Sequence, residues 1–206
     1  DKAGNTTELS TDGLMINSTL PRVKATATKG TGTQTYDGNW TREDVKLKLE
    51  FVNKDKNSQV LSGTFKNYEY SIDNGKSWYS VGPNSYFTVS GSGSTPTLTF
   101  SKATSQNFMF RAVITGRTDD KDRSETTSVN IKIDKKAPTV QPLEFDVTAK
   151  LTTSDGYTVY SQQPTLTATA ADVGENGLID GKTGSIASGL KSQKYQLKSD
   201  GAQKDY

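Results

Sequence analysis

The amino-acid sequence predicts an all-β protein built as a β-sandwich, on three observations. Apolar and polar residues alternate in short runs, most clearly at residues 45–51 and 108–114, and this period of two indicates strands with one buried face. Thr, Ser, Gly, Asn and Asp are abundant, as strands joined by many turns require. No segment shows the 3.6-residue period of a convincing amphipathic helix.

The predicted strands follow one another at short intervals. They are centred on residues 23–27, 45–51, 68–72, 86–89, 98–100, 108–114 and 129–133. The Asn74-Gly75 pair after the third of these is a strong hairpin signal, because both residues tolerate positive φ, so Trp78 should fold back onto that strand. About seven short strands separated by turn signals are the pattern of a two-sheet sandwich.

Composition favours a folded chain over a disordered one and limits its partners. Only 31% of residues are hydrophobic, but nine Tyr, seven Phe and two Trp supply core area. The 25 basic and 23 acidic residues are interspersed and give a net charge of +2. We therefore expect no nucleic-acid partner, since such binding needs a basic stripe. We also expect no membrane span in this fragment, because no apolar run approaches roughly 18 residues.

Cysteine and histidine are both absent from the sequence. Without cysteine there is no thiol nucleophile, no disulfide and no thiolate ligand for zinc. Without histidine the commonest general base and the commonest transition-metal ligand are missing. The sequence therefore predicts that the chain is not an enzyme and carries no catalytic or cofactor-binding residues.

The chain then repeats its own landmarks. Residues 130–138 (Asn-Ile-Lys-Ile-Asp-Lys-Lys-Ala-Pro) have the same form as residues 13–21 (Gly-Leu-Met-Ile-Asn-Ser-Thr-Leu-Pro). A Ser-Gly pair and a later strand that begins with Tyr also recur, at 62–63 and 68–73 and again at 188–189 and 195–200. Landmarks that return in the same order indicate an array of similar units.

Several motifs carry a resemblance to a known family. They are Asp-Lys-Ala-Gly-Asn at 1–5, Trp40 before a Val-x-Leu strand, Tyr-x-Tyr-Ser-x-Asp-x-Gly-x-x-Trp at 68–78, and the joint at 133–138. In this order they resemble the immunoglobulin-like repeats of bacterial surface and secreted proteins. Residues 119–123 depart from the usual Asp-x-Ala-Gly-Asn, and Gln163-Pro164 replaces the Trp region of the second unit, so the repeats have diverged.

The resemblance implies tandem immunoglobulin-like β-sandwiches, one complete and flanked by partial units. Residues 1–20 are expected to be the tail of a preceding repeat with its linker, 21–137 a complete sandwich, and 138–206 the first part of a further, truncated repeat. It also implies an extracellular location, on the surface or in the cell wall of a bacterium. The chain is then a fragment of a longer protein whose flanking modules are not in the sequence.

One acidic stretch, residues 172–180, resembles a calcium-binding loop. Oxygen donors fall at positions 1, 5 and 9, which are Asp172, Asn176 and Asp180. Calcium takes six to eight oxygens and usually a Glu at position 12, where this chain has Thr183. The alternative is a solvated loop between strands, and we favour this loop over a calcium site. Apart from calcium, the sequence predicts no cofactor.

Two further groups of residues invite a functional hypothesis. A Lys–Asn isopeptide bond would need Lys24 and Asn130 beside Glu69, but alternation turns the first two toward solvent. A sugar-binding platform would need exposed aromatic faces, for which the candidates are Trp40, Tyr36, Tyr79 and Tyr86. Burial at the ends of the core is the alternative for these rings, and the one we favour.

The function predicted from the sequence is a non-enzymatic spacer that holds an active module away from the cell. Its partners are expected to be neighbouring immunoglobulin-like domains of the same chain. An adhesion module that binds a host glycan or protein, and an accessory region of a secreted glycan-active enzyme, stay open as alternatives, because fold alone does not separate these roles.

Overall fold

The computed structural model describes residues 19–117, 122–142, 144–145, 151–156, 158–159, 165–196 and 203–205. The described residues form strands joined by turns and loops and contain no helix. The predicted all-β class is therefore confirmed. Three predicted features lie wholly or partly outside the described residues: residues 1–18 of the tail predicted at 1–20, most of the charged turn at 119–123, and Gln163-Pro164.

The strands before residue 134 are β1 Arg22–Lys29, β2 Gln34–Thr35, β3 Val45–Val52, β4 Thr64–Ser71, β5 Tyr79–Ser80, β6 Thr88–Ser90, β7 Thr97–Phe100, β8 Thr104–Thr115 and β9 Thr127–Ile133. They form two sheets. The front sheet has the order β2-β1-β3-β7-β6, and the back sheet contains β5-β4-β8 with β9 on the far side of β8. All pairs among these nine strands are antiparallel.

The two sheets bury one core between them, and we call this body the sandwich. Phe100 of the front sheet lies 4.9 Å, centroid to centroid, from Phe108 of the back sheet, and Phe87 packs edge-on against both rings. Other core residues are fully buried at every second position of their strands: Val45, Leu47, Leu49, Leu98, Phe110, Ala112, Ile131 and Ile133. This alternation is the period of two read from the sequence.

Each strand predicted in this region is present. The hairpin after Ser71 is also confirmed, since Asn74 and Gly75 have φ values of 58° and 82° and β5 returns beside β4. Trp78 donates its indole N–H to the carbonyl of Gly75 at 2.9 Å, which holds the ring against its own turn. The short β2 was not predicted, because a two-residue strand carries no periodic signal.

The strands after residue 138 are β10 Thr139–Val140, β11 Glu144–Phe145, β12 Leu151–Thr152, β13 Thr158–Val159, β14 Leu166–Thr167, β15 Ala170–Ala171, β16 Glu175–Ile179, β17 Lys182–Ile186, β18 Lys194–Gln196 and β19 Gln203–Asp205. We call this part of the chain the downstream segment. β10, β11 and β12 pair antiparallel with β15, β14 and β13 respectively, and β18 pairs with β19.

The hairpin β16-β17, which we call the clasp, joins the back sheet of the sandwich. On one edge of β8, β9 pairs with residues 104–110. On the other edge β4 pairs only with residues 109–115, and the clasp fills part of the space that β4 leaves: Leu178 and Ile179 pair in parallel with Thr104 and Ser105. The downstream segment thus contributes a strand to the sandwich.

Candidate functional site

The candidate site is the place where the downstream segment is held to the sandwich. It has two parts, the junction at residues 134–138 and the docked clasp. The chain leaves β9 at Ile133, and residues 135–138 are exposed. An exposed linker of this kind is expected to leave the following segment free to move unless other contacts hold it.

Asp134 supplies the first of those contacts. Its side chain is 8% exposed, and its carboxylate accepts hydrogen bonds from the backbone N–H of Lys136 at 3.1 Å and of Ser188 at 2.8 Å. Its own N–H donates to the carbonyl of Thr41 at 2.9 Å. Because hydrogen bonds to an ionised acceptor are the stronger ones, Asp134 ties the end of the sandwich to the chain beyond the clasp.

Lys135 is held from both sides. Its backbone N–H donates to the carboxylate of Glu175 at 2.9 Å, and its ammonium group lies 2.6 Å from the carboxylate of Asp44 in the sandwich. Both side chains of the ion pair are about one third exposed, so solvent screening makes this pair weak. The backbone hydrogen bond to Glu175 is the contact that fixes the start of the clasp.

Leu178 anchors the clasp in the sandwich core. Its side chain is 8% exposed and belongs to the same buried cluster as the core residues of β3 and β8. Its backbone N–H donates to the carbonyl of Ala103 at 3.2 Å. Burying a leucine side chain contributes about 1.5–3 kcal/mol, so this residue stabilises the docked clasp.

Gln106 links three segments at the same place. Its side-chain amide donates to the carbonyl of Ile72 at 2.9 Å, and its side-chain carbonyl accepts from the N–H of Gly181 at 2.6 Å. The residue is 5% exposed. The net contribution of such a hydrogen bond is about 0.5–1.5 kcal/mol, because water can take the partner's place when the clasp is absent.

Two glycines make the close approach possible. A Cβ on Gly177 would lie 2.1 Å from the carbonyl oxygen of Ala103, a distance that no larger residue tolerates. Gly181 has a φ of 74° and follows Asp180 at 47°. Two successive left-handed residues form the tight turn that joins hairpin strands, and this turn places the Gly181 N–H against Gln106.

The structure separates Asn176 from Asp180, two of the three residues proposed for calcium. Asn176 lies in β16 and Asp180 in the turn, so extended chain holds them about 13 Å apart at 3.3 Å per residue. Asp172 precedes the clasp, and its carboxylate accepts a hydrogen bond from the N–H of Gly189. The loop expected at 172–180 is thus wrong over 175–179, which is a strand because the Asp180-Gly181 turn pairs it with β17.

In the described part of the chain, no group of three or more His, Cys, Asp or Glu side chains lies close enough to hold a metal ion. The calcium site stays a hypothesis to which this geometry adds no support.

The four candidate sugar-binding aromatics are not brought to one face. Tyr36 is 6% exposed, and its hydroxyl accepts from the N–H of Lys132; burial raises its pKa above the usual value for tyrosine. Tyr79 and Tyr86 both pack against Tyr70, with ring centroids 5.7 and 6.4 Å away. Trp40 is 37% exposed. Tyr36 and Tyr86 extend the core, as favoured from the sequence, whereas Tyr79, which is 51% exposed, and Trp40 do not.

The isopeptide candidates are also apart. Lys24 is exposed on β1 of the front sheet and Asn130 is exposed on β9 of the back sheet. Glu69 lies on the outer face of the back sheet, where Arg111 and Arg123 contact its carboxylate at 2.8 and 3.0 Å. Its charge is thus balanced by two guanidinium groups, and Arg111 also stacks on Trp78 at 3.9 Å.

Comparison with known proteins adds no family assignment. No protein-family model matches the chain, and searches of curated proteins and of solved structures return no match. Among the residues that the structure describes, no helix is long and apolar enough to cross a membrane.

The sequence pointed to the joint at 134–138 but missed the clasp. The Asp180-Gly181 pair was the signal that would have found it, by the same rule that located the hairpin at Asn74-Gly75. Docking onto β8 has no local signal, because it depends on the space that β4 leaves beside residues 104–105.

Proposed function

We propose that this chain is a non-enzymatic spacer from an array of immunoglobulin-like sandwiches on a bacterial surface, and that the junction and clasp fix the orientation of successive units. The role is mechanical: it holds a functional module of the same protein away from the cell. The observation that carries the proposal is the docked clasp, because a freely hinged linker would not bury Leu178 in the preceding body.

The strand order supports the immunoglobulin-like part of the proposal. The front sheet contains β1-β3-β7-β6 and the back sheet β4-β8-β9. If the seven principal strands are lettered in chain order, these sheets read A-B-E-D and C-F-G, which is the arrangement of constant-type immunoglobulin domains. The downstream segment begins with two antiparallel pairings of two residues each, β10 with β15 and β11 with β14.

The contacts at the junction support the spacer part. Asp134 and Lys135 each bond to the downstream segment, and the clasp adds a parallel strand pair and the Gln106 bridge. Because the downstream segment contacts both the linker and the back sheet, it can neither rotate nor bend freely relative to the sandwich. Two units joined in this way behave as one stiff element rather than as independently moving domains.

A distance measurement between the two parts tests this proposal. Spin labels are placed at Lys48→Cys on β3 and Thr169→Cys in the downstream segment, both exposed positions in a chain that has no natural cysteine. We expect a narrow distance distribution, and a broad one when Gly177→Ala is added. A broad distance distribution in the protein with its natural Gly177 would contradict a stiff spacer. Specific binding of the chain on a glycan array would favour the adhesion alternative.

A further inference from the structure

The turn between β3 and β4, residues 53–61, closes tightly on itself. Lys54 and Val60 form a bridge, and the N–H of Leu61 donates to the carbonyl of Asn53 at 2.7 Å. The carboxylate of Asp55 accepts from the N–H groups of Asn57 and Gln59 at 2.8 and 2.9 Å. These bonds hold the turn in one shape, so its tip is a formed surface rather than a loose loop.

This turn lies beside the point where the chain enters the sandwich. Arg22, the first residue of β1, pairs with Val52 at the end of β3. The Arg22 guanidinium also donates to the carbonyl of Lys54 at 3.4 Å. The clasp likewise lies beside the point where the chain leaves the sandwich, because the N–H of Lys135 donates to Glu175 at the start of the clasp. Each projection thus sits next to a proline-marked joint.

The two projections also occupy the same place in the order of strands. The turn at 53–61 connects the second and third principal strands of the sandwich, β3 and β4. The clasp lies between β15 and β18. β15 pairs with β10 as β3 pairs with β1, and β18 carries the recurring landmark Tyr195 as β4 carries Tyr68. The clasp buries its leucine in the preceding body, whereas the turn leaves Val60 69% exposed.

We propose that the turn at 53–61 is the docking element by which this sandwich contacts the end of a sandwich unit preceding it in the same chain, with Val60 buried in that contact. The inference rests on the proposed array. The partner surface is the end of the preceding unit where its own β8-like strand begins. In place of the clasp's added strand, the shorter turn offers the exposed side chain of Val60, which lies beside Lys54 at the base of the turn.

The test places a second sandwich ahead of the whole chain. Residues 19–138 are joined directly to Arg22 of residues 22–206, which keeps the proline joint. A single cysteine is introduced as Val60→Cys in the rear copy, and its reaction rate with a thiol reagent is compared with that of Val60→Cys in the natural chain. Val140→Cys is the matched control, because Val140 is also 69% exposed.

We expect the Val60→Cys thiol to react at least about 10-fold more slowly in the fused protein, while the Val140→Cys rate stays within about 2-fold. Equal rates for Val60→Cys in the two proteins would overturn the proposal. A second readout is Val60→Asp, which should broaden the distance between labels placed in the front and rear copies. An unchanged distance distribution in that variant would also overturn it.

Failure of this inference is distinguishable from failure of the proposed function. Equal thiol rates together with a narrow Lys48–Thr169 label distance would remove only the role of the turn. A broad Lys48–Thr169 distance would remove the stiff spacer itself.

Discussion

Single residues of β9 show how strictly buried and exposed side chains alternate along a strand. Ile131 and Ile133 of β9 are fully buried, and Asn130 between the strand's apolar positions is exposed. The period of two predicted the facing of these residues without knowledge of the fold, because neighbouring side chains on a strand must point to opposite faces. The requirement for glycine at position 177 could not be predicted in this way, because it arises only from the close approach of the Ala103 carbonyl.

Ile131→Asp should unfold the sandwich. A carboxylate at a fully buried position has neither water nor a cation to pair with, so we expect a loss of more than about 4 kcal/mol of unfolding free energy. Chemical denaturation followed by tryptophan fluorescence measures it. Asn130→Asp, one residue away and exposed, is the control and should change stability by no more than about 0.5 kcal/mol. Similar behaviour of the two variants would mean that the strand faces are assigned incorrectly.

Asp73 should make the stability of the β4-β5 hairpin depend on pH in the acidic range. Hydrogen bonds from Ser77 and Ser71 lower the pKa of its carboxyl group from 3.8 to about 2. A group with a depressed folded-state pKa stabilises the fold above its unfolded pKa and loses that contribution as the pH falls through the folded value. Asp73→Ala should therefore lower the melting temperature at neutral pH, and the difference from the natural chain should vanish between about pH 4 and pH 2.

Calcium should leave the melting temperature unchanged in the natural chain and in Asp172→Ala. The structure holds Asn176 and Asp180 apart along extended chain and gives Asp172 a backbone partner at Gly189. Differential scanning calorimetry with and without millimolar calcium measures the effect. A rise in the melting temperature that Asp172→Ala abolishes would re-establish the calcium hypothesis.

At the scale of elements, the strands of the sandwich follow from local pattern but the clasp does not. Apolar alternation marks β3, β7, β8 and β9 directly. The clasp has the sequence Glu-Asn-Gly-Leu-Ile-Asp-Gly-Lys-Thr-Gly-Ser-Ile, in which only Leu178 and Ile186 are buried. Its strands are stabilised by the tight turn and by docking, and docking is a long-range contact that no local period records.

Gly177→Ala should release the clasp and leave the sandwich folded. The added methyl group would overlap the carbonyl of Ala103, whereas a Cβ on Gly82 meets no atom within 4 Å, so Gly82→Ala is the control. Limited trypsin digestion followed by mass spectrometry measures cleavage after Lys182, at the start of β17. We expect cleavage there to become at least about 10-fold faster in Gly177→Ala, because released strands open more often. An unchanged rate would show that the close approach at Gly177 does not control docking.

At the scale of the whole molecule, the structure changes the simple picture of separate units on a short linker. The repeated landmarks of the sequence predicted one body ending near residue 137 and another beginning at 138. The structure adds a hairpin from the later part to the back sheet of the earlier part. The sequence could mark the joint by its proline but not the contact across it, because Leu178 and the β8 edge lie far apart along the chain.

Hydrogen exchange at the clasp tests the docked arrangement most directly. The backbone amides of Leu178 and Gly181 donate to Ala103 and Gln106 across the contact. In the natural chain, NMR-detected exchange at both amides should be at least about 100-fold slower than in an unstructured peptide. Exchange of both amides at the unstructured rate, while the Leu49 amide in the sandwich core stays protected, would contradict the account.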